Sequence, residues 1–459
     1  MFVPARLPDL AFWYDASLST YAGGTWHDLS GNENHAEQPI SSQQPSHTVD
    51  GAGRQLLRFD GVNDSLLVNT PPDLSAGLTL FVTYRVRTPD DFKGIVTASA
   101  AAGADHEQFF TLQYWTVAEQ RVQVFGRSVQ PAQVVVQGVD STEIQYAIVT
   151  FDDDGVDVEL RDLNGIAGVS STAAPFEIPA AMVLGARYNG GSVFNHGAID
   201  LYEVGLYNRE LSSAERDQLE AYVKKRHGLA WNPRFIGKDL AWFHDVDVSG
   251  FALDGNQVDQ WNDLSGHGRH WAPTGIDRPI RITDPDGRDI VQFDGVDDLL
   301  ALTGPLPVLE PFSVAVVYRV RERADFTGIV SAAPAAGADH ADFWTFRDAS
   351  AASLDVQLFG RSGEIDPLSL VTSDSGAIQA AVWALENGVG ELRDAGGSGS
   401  DSYGGSFGTP NGIVLGGRYD GAPFGYAAID VLATVGASRA LSSVDQQRLI
   451  DWAGARWSL

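Results

Sequence analysis

Short runs rich in Val, Ile, Leu, Tyr and Phe alternate along this chain with clusters of Gly, Asp and Asn. LTLFVTYRVR (78–87), EIQYAIVTF (143–151), VDVELRD (156–162) and AAMVLGARY (180–188) are runs of this kind. Branched and aromatic side chains suit a pleated, half-buried surface, and Gly, Asp and Asn end strands in turns, so the pattern predicts β-structure. TFDDDGVDVEL (150–160) predicts a hairpin closed by Asp-Gly, and ALENGVGEL (384–392) one closed by Asn-Gly. Both dipeptides tolerate the positive φ that tight turns need. The period changes to a helical one at LSSAERDQLEAYVKKRHG (211–228). There Ser212 and Glu215 form a capping-box pattern, and Leu219, Tyr222 and Val223 share one helical face. Lys224, Lys225 and Arg226 suit the negative end of the helix dipole, and Gly228 can stop the helix. Ser442, Asp445, Leu449 and Trp452 repeat the design near the end of the chain.

The whole pattern is written twice. WHDLSGNENHA from Trp26 returns as WNDLSGHGRHW from Trp261, and FDGVND from Phe59 as FDGVDD from Phe293. YRVR (Tyr84, Tyr318), GADH (Gly103, Gly337), ELRD (Glu159, Glu391) and AID (Ala198, Ala428) recur in the same order. So do VFGRS and LFGRS (Val124, Leu358) and LGARYNG and LGGRYDG (Leu184, Leu415). The repeat is far longer than a solenoid period, so the chain reads as a tandem duplication of a complete domain. The expected boundaries are 1–229 for the first copy, 230–237 for a linker and 238–459 for the second. The fold class that follows is all-β: two tandem antiparallel β-sandwiches, each closed by one short C-terminal helix.

Composition narrows the function. Sixty acidic residues against 31 basic ones give a net charge of −29. An acidic surface repels phosphate backbones and anionic lipid, so neither nucleic acid nor a membrane surface is an expected partner. The chain has no cysteine, which excludes disulfide staples, thiolate nucleophiles and Cys-ligated zinc. No stretch approaches a membrane-spanning length of apolar residues, so no membrane insertion is expected. The opening MFVPARLPDLAFWYDAS does not read as a signal peptide.

The succession in each copy, from LAFWYD or LAWFHD through W-x-DLSG, FDGVxD, LGxRYxG and AID to a final LSS helix, resembles the concanavalin A-like, laminin G-like jelly-roll domains of bacterial and bacteriophage proteins. The resemblance implies two antiparallel sheets packed face to face, with one sheet often concave and rim loops that hold ligands. Members bind glycans, calcium or other proteins, and some are glycosidases, so the fold leaves the function open.

Four stretches carry candidate chemistry. In DLSG-x-x-x-H, Asp28, Ser30, Asn32, Asn34 and His35 suit either a rim site or a self-bonded turn over a buried Trp26. The turn is favoured, because Arg269 stands at the place of Asn34 and arginine is no ligand for a hard cation. FDGVND and FDGVDD offer Asp60 and Asp64, and Asp294 and Asp298, as oxygen ligands for calcium; the alternative is a turn with Phe59 as an inward anchor. GADH places Asp105 with His106, and Asp339 with His340, in a loop. RYNGGSVFNHG and RYDGAPFGYAA combine Arg187, Tyr188 and Asn189, and Arg418, Tyr419 and Asp420, with glycines. A planar aromatic stacks on the apolar face of a sugar while Arg, Asn or Asp bonds hydroxyls, which makes these six the candidate glycan-binding residues. Asp157 and Glu159 share a strand face, yet the second copy has only Glu391, so the carboxylate pair of a glycosidase is lacking there and no catalytic residue is assigned.

The expected function is a non-enzymatic, surface-exposed binding or structural protein. The setting read from the resemblance is a bacteriophage tail, fibre or capsid decoration, on a virion or extracellular surface, made in the cytoplasm without a signal peptide. A cell-surface glycan is the first expected partner, and other subunits of a virion or surface assembly, including further copies of the chain, are the alternative. A carbohydrate-active enzyme is the weakest reading. No cofactor is required, and calcium is the one ion the carboxylates suit.

Overall fold

Leu78, Leu80, Val82, Tyr84 and Val86 alternate with Thr79, Phe81, Thr83 and Arg85 along one strand, Leu78–Val86, of the computed structural model. The first set lies in the hydrophobic core between two sheets. On the other face Thr79 Oγ1 accepts the Leu211 N–H (3.0 Å) and donates to the Arg209 carbonyl (3.2 Å), just ahead of the helix. With both faces covered, this strand takes the middle of its sheet.

That sheet runs Gly165–Ser171, Asp157–Asp162, Gln145–Phe151, Leu78–Val86, Ile199–Tyr207, Gln55–Arg58, Ser46–Val49, with Leu10–Asp15 also paired to Ile199–Tyr207. A second, nine-stranded sheet runs Val134–Val139, Arg121–Arg127, Phe109–Thr116, Lys93–Ser99, Ala181–Leu184, Leu66–Val68, Ala36–Glu37, Thr25–Trp26, Tyr21–Ala22. All named pairings are antiparallel. The structure describes the chain except residues 1, 69–76, 100–108, 119, 128–133, 140–142, 153–156, 172–180, 189–191, 305–309, 334–342, 351, 353–354, 362–367, 374–375, 405–406, 408–411 and 420–422.

The chain divides into two units, Met1–Trp231 and Asn232–Leu459, and the second repeats the strand order of the first. One pairing differs: Gln257 opposite Ile280 joins the two layers of the second unit along one edge. Residues 230–237, expected as a linker, are built into structure. The Trp231 indole donates to Asn164 Oδ1 (2.9 Å), and Pro233–Asp239 form two short 3-10 turns kinked at Gly237 (φ 71°), with Phe235 and Ile236 buried.

One α-helix closes each unit: α1, Ser213–His227, and α2, Ser443–Trp457. Ser212 and Glu215 make the reciprocal capping box, and Gly228 ends α1 in the left-handed region at φ 64°. The second-unit hairpin closes on Asn387 (φ 51°) and Gly388 (φ 79°), the conformation expected of Asn-Gly. Among the described residues, no helix is long and apolar enough to cross a membrane.

Candidate functional site

The repeated DLSG phrase is consumed by folding. Asp28 Oδ1 accepts the N–H groups of Trp13 (2.9 Å) and Ser30 (2.8 Å), and Oδ2 accepts the Ser30 hydroxyl (2.6 Å) and the Asn34 N–H (3.1 Å). Asp263 makes the same four bonds to Phe243, Ser265 and Arg269. Asn34 Nδ2 reaches the Ala11 carbonyl at 2.7 Å, and Arg269 Nη1 reaches the equivalent Ala241 carbonyl at 2.6 Å. Arginine replaces asparagine because both serve there as donors to backbone.

YRVR and AID are mates. Asp200, fully buried, pairs with Arg58 (2.9 Å), Arg85 (2.5 Å) and Arg87 (3.1 Å); Asp430 pairs with Arg319 (2.5 Å) and Arg321 (3.0 Å). FDG and LGxRY are mates as well. A Cβ on Gly185 would stand 2.1 Å from Phe59 Cδ1, and one on Gly416 2.2 Å from Phe293 Cδ1, so only glycine lets the strand cross the buried ring.

In the turns, Asp60 Oδ1 accepts the N–H groups of Val62 (2.7 Å) and Asn63 (3.1 Å), and Asp64 Oδ2 accepts the Asp60 N–H (2.9 Å). Asp294 and Asp298 repeat this. The copies then diverge. With Asp297 at the place of Asn63, the second unit gathers Asp294, Asp297 and Asp298 carboxylate oxygens within 4.8 Å of one another, the one such group of three among the described residues. Burial, with Asp294 and Asp297 close by, pushes the Asp298 carboxyl up to about 6. Three clustered carboxylates fit a hard divalent cation; the two of the first unit fit one less well.

Beyond Gly185 the chain forms a two-residue ladder, Arg187–Tyr188 against Val193–Phe194. Arg187 lies over the Phe194 ring at 5.2 Å, and Arg418 over Phe424 at 4.7 Å. Both arginines are half-buried, and burial lowers the Arg187 guanidinium below its ordinary range. Asn189 and Asp420 lie outside the described residues, as do the side chain of Tyr419 and both GADH loops. Tyr188 is half-buried.

Residues that the sequence reading passed over complete the site. Gly94 and Gly328 each lie too close to this ladder for a Cβ: the nearest atoms would be Ala186 C at 2.2 Å and Gly417 O at 2.3 Å. Two residues earlier stand Phe92 and Phe326, both at φ 59°, a conformation rare for a bulky side chain, and 39% and 49% exposed. Phe92 packs edge-on against Trp115 at 4.9 Å. Phe326 packs under Arg347, whose guanidinium sits 4.7 Å from that ring and 4.4 Å from Phe359. Arg347 Nε and Nη2 donate to Gln357 Oε1 (3.0 and 2.8 Å), and Gln357 Nε2 donates to Ser369 Oγ (2.8 Å). Burial, then the charge of Arg418, lowers the Arg347 guanidinium to about 10. The sequence did carry a signal, since DFKGIV (91–96) returns as DFTGIV (325–330).

The carboxylates once weighed for hydrolysis are engaged elsewhere. Glu159 pairs with Arg161 (2.5 Å) and Arg216 (3.5 Å) beneath α1, Asp157 accepts the Ser171 hydroxyl, and Glu391 accepts Gln446 Nε2 (3.0 Å).

No family model matches the chain, and no curated protein matches it. Among solved structures, "Ruminococcus gnavus IT-sialidase CBM40 bound to alpha2,3 sialyllactose" is 15% identical at a TM-score of 0.27, with 32% of this chain and 89% of that chain covered. The binding domain of botulinum neurotoxin serotype D/C VPI 5993 is 8% identical at a TM-score of 0.41, with 96% of this chain and 97% of that chain covered. Both likenesses are shallow and leave this chain's ligand undecided.

Proposed function

We propose that this protein is a non-enzymatic glycan-binding protein, each unit a sandwich of the concanavalin A-like, laminin G-like kind that holds sugar beside its second sheet. One observation carries the reading: in both units a phenylalanine, Phe92 or Phe326, is held exposed in a left-handed backbone conformation next to the ladder of Arg187 or Arg418. Each ring packs on one side only, against Trp115 or Arg347, and strained backbone that leaves an apolar ring partly exposed collects at binding sites. An aromatic face accepts the C–H face of a sugar while guanidinium groups bond its hydroxyls. Two sites in one chain would add avidity on a surface that carries many glycans. A virion or extracellular surface remains the proposed setting, resting on the resemblance of the paired sandwiches. Calcium at Asp294, Asp297 and Asp298 is proposed as an accessory ion of the second unit.

A glycan array probed with the intact protein tests this. Saturable hits that vanish in the double variant Phe92→Ala, Phe326→Ala, with the melting temperature kept, are expected. An array silent for the intact protein overturns the glycan reading, and co-purification with particle subunits would then assign the sandwiches to assembly.

A further inference from the structure

The two units carry different charge at the same place. Arg347 is 8% exposed, and among the described residues no carboxylate pairs with it; its polar partner is the neutral Gln357. A guanidinium has five N–H donors, and one amide oxygen leaves most of them unspent. A second guanidinium, Arg418, is near enough to be felt as repulsion. The similarly buried Arg161 and Arg216, and Arg85, Arg87, Arg319 and Arg321 of the YRVR phrases, all meet carboxylates. In a chain of net charge −29, holding the Arg347 guanidinium buried on a neutral amide is costly unless an anion arrives from outside. At the equivalent position the first unit has Gln113, 1% exposed, which reaches Gln123 at 3.4 Å and leaves Oε1 buried without a partner.

We propose that the second unit selects a glycan bearing an acidic substituent, a carboxylate or a sulfate, whose oxygens take the free donors of Arg347 with Arg418 alongside, while its ring rests on Phe326. Planar oxyanions match the guanidinium fork, and the Phe326 and Phe359 rings hold that fork in place. This inference rests on the glycan reading and adds the ligand class and the asymmetry between units.

The test uses the full chain and an array of paired glycans: uronic- and sialic-acid-terminated sugars beside their methyl esters, and sulfated sugars beside their desulfated forms. Acidic members are expected to bind at least tenfold more tightly than their neutral partners, and Arg347→Gln, which installs the first unit's residue, to bring that ratio close to one. Because the substitution removes a buried charge, the melting temperature of the second unit is expected to hold or rise. Preference over methyl esters alone assigns a carboxylate ligand, and preference over desulfated sugars alone a sulfate ligand. Equal binding of acidic and neutral members overturns the inference and leaves the glycan reading standing. Acid preference that survives Arg347→Gln overturns it too, since the acid is then held elsewhere. No binding of either kind overturns both. A large fall in melting temperature with unchanged preference makes Arg347 a brace for Phe326 and nothing more.

Discussion

The seam between closing helix and sheet is polar in the first unit and apolar in the second. In the first, the fully buried Glu203 accepts the Trp13 indole N–H (2.7 Å) and the Tyr222 hydroxyl (2.8 Å) on Oε1 and meets His227 Nε2 (2.7 Å) on Oε2. In the second, Ala433, Phe243, Trp452 and Trp457 stand at those places, with Phe243 against Trp452 at 5.6 Å and Trp452 against Trp457 at 5.2 Å. The seam's outer edge is the same in both: Arg226 meets Asp15 at 2.9 Å, and Arg456 meets Asp245 at 2.8 Å. One backbone thus tolerates two chemistries, provided that each set of side chains is complete. A buried acid is viable when every donor around it is spent on it, and it can be exchanged for volume only as a set.

Breaking the set should give the largest effect. Glu203→Ala leaves the Trp13 and Tyr222 donors and His227 buried without their acceptor, and removing one partner of such a group costs about 3–5 kcal/mol. Chemical denaturation of the full chain should show the first unit's transition shifted by that amount and the second unit's unmoved. The fourfold exchange Trp13→Phe, Glu203→Ala, Tyr222→Trp, His227→Trp should recover most of the loss. Failure to recover would mean that the backbones differ more than their strand orders imply.

A second comparison lies between the sheets. Tyr14, stacked on Phe12 at 4.9 Å and Trp26 at 5.3 Å, becomes His244 between Trp261 (5.5 Å) and Trp271 (5.8 Å). Thr434 Oγ1 accepts the Trp271 indole N–H (2.8 Å) and lies 3.1 Å from His244 Nδ1. Burial pushes the His244 imidazole down to about 3. The folded state therefore holds the neutral ring, while the unfolded chain takes up a proton below about 6.5. The stability linked to this ring is present above pH 6.5 and is lost as pH falls from there toward 3, reaching about 2 kcal/mol by pH 5. Urea denaturation at pH 7.5 and 5 should show the second unit losing that increment, and His244→Tyr should remove the part of the loss that belongs to the ring.

The order of repeated phrases, the caps and the Asn-Gly turn were legible because each is a local signal: a spacing of three residues, or a dipeptide with positive φ. What those phrases do for one another was not. Asp200 meets Arg85 from 115 positions away in the chain, and Phe59 crosses Gly185; such pairings are set by strand order, which no single phrase encodes. RYNG and RYDG led to Arg187 and Arg418, yet the residues proposed to give the site its character were less legible: Phe92 and Phe326 stood in a repeated DFxGIV phrase that names no chemistry, and Arg347 at a position where the two copies differ. A strained φ leaves no mark on composition, and the meaning of arginine in place of Gln113 depends on which acids surround it in space.

The smallest effect concerns the calcium expectation, and there too the units serve as each other's control. The Asp298 carboxyl, raised to about 6, takes up its proton more readily folded than unfolded. Its contribution to stability is therefore present below about pH 3.9, the unfolded value, and is lost as pH rises through 6. A cation reverses this balance by binding the ionised cluster that repulsion disfavours. With calcium at about 5 mM and a Kd on the order of 1 mM, the gain is about 1 kcal/mol. Thermal unfolding at pH 7.5 should show the second unit's transition rising with calcium relative to chelator, and losing that rise at pH 5 or in Asp297→Asn, which copies Asn63 of the first unit. The first unit, which has Asn63 at the place of Asp297 and so only two carboxylates in this turn, should not respond. Equal response of both units, or of neither, would remove the ion from the second unit and leave FDGVDD a turn like its counterpart.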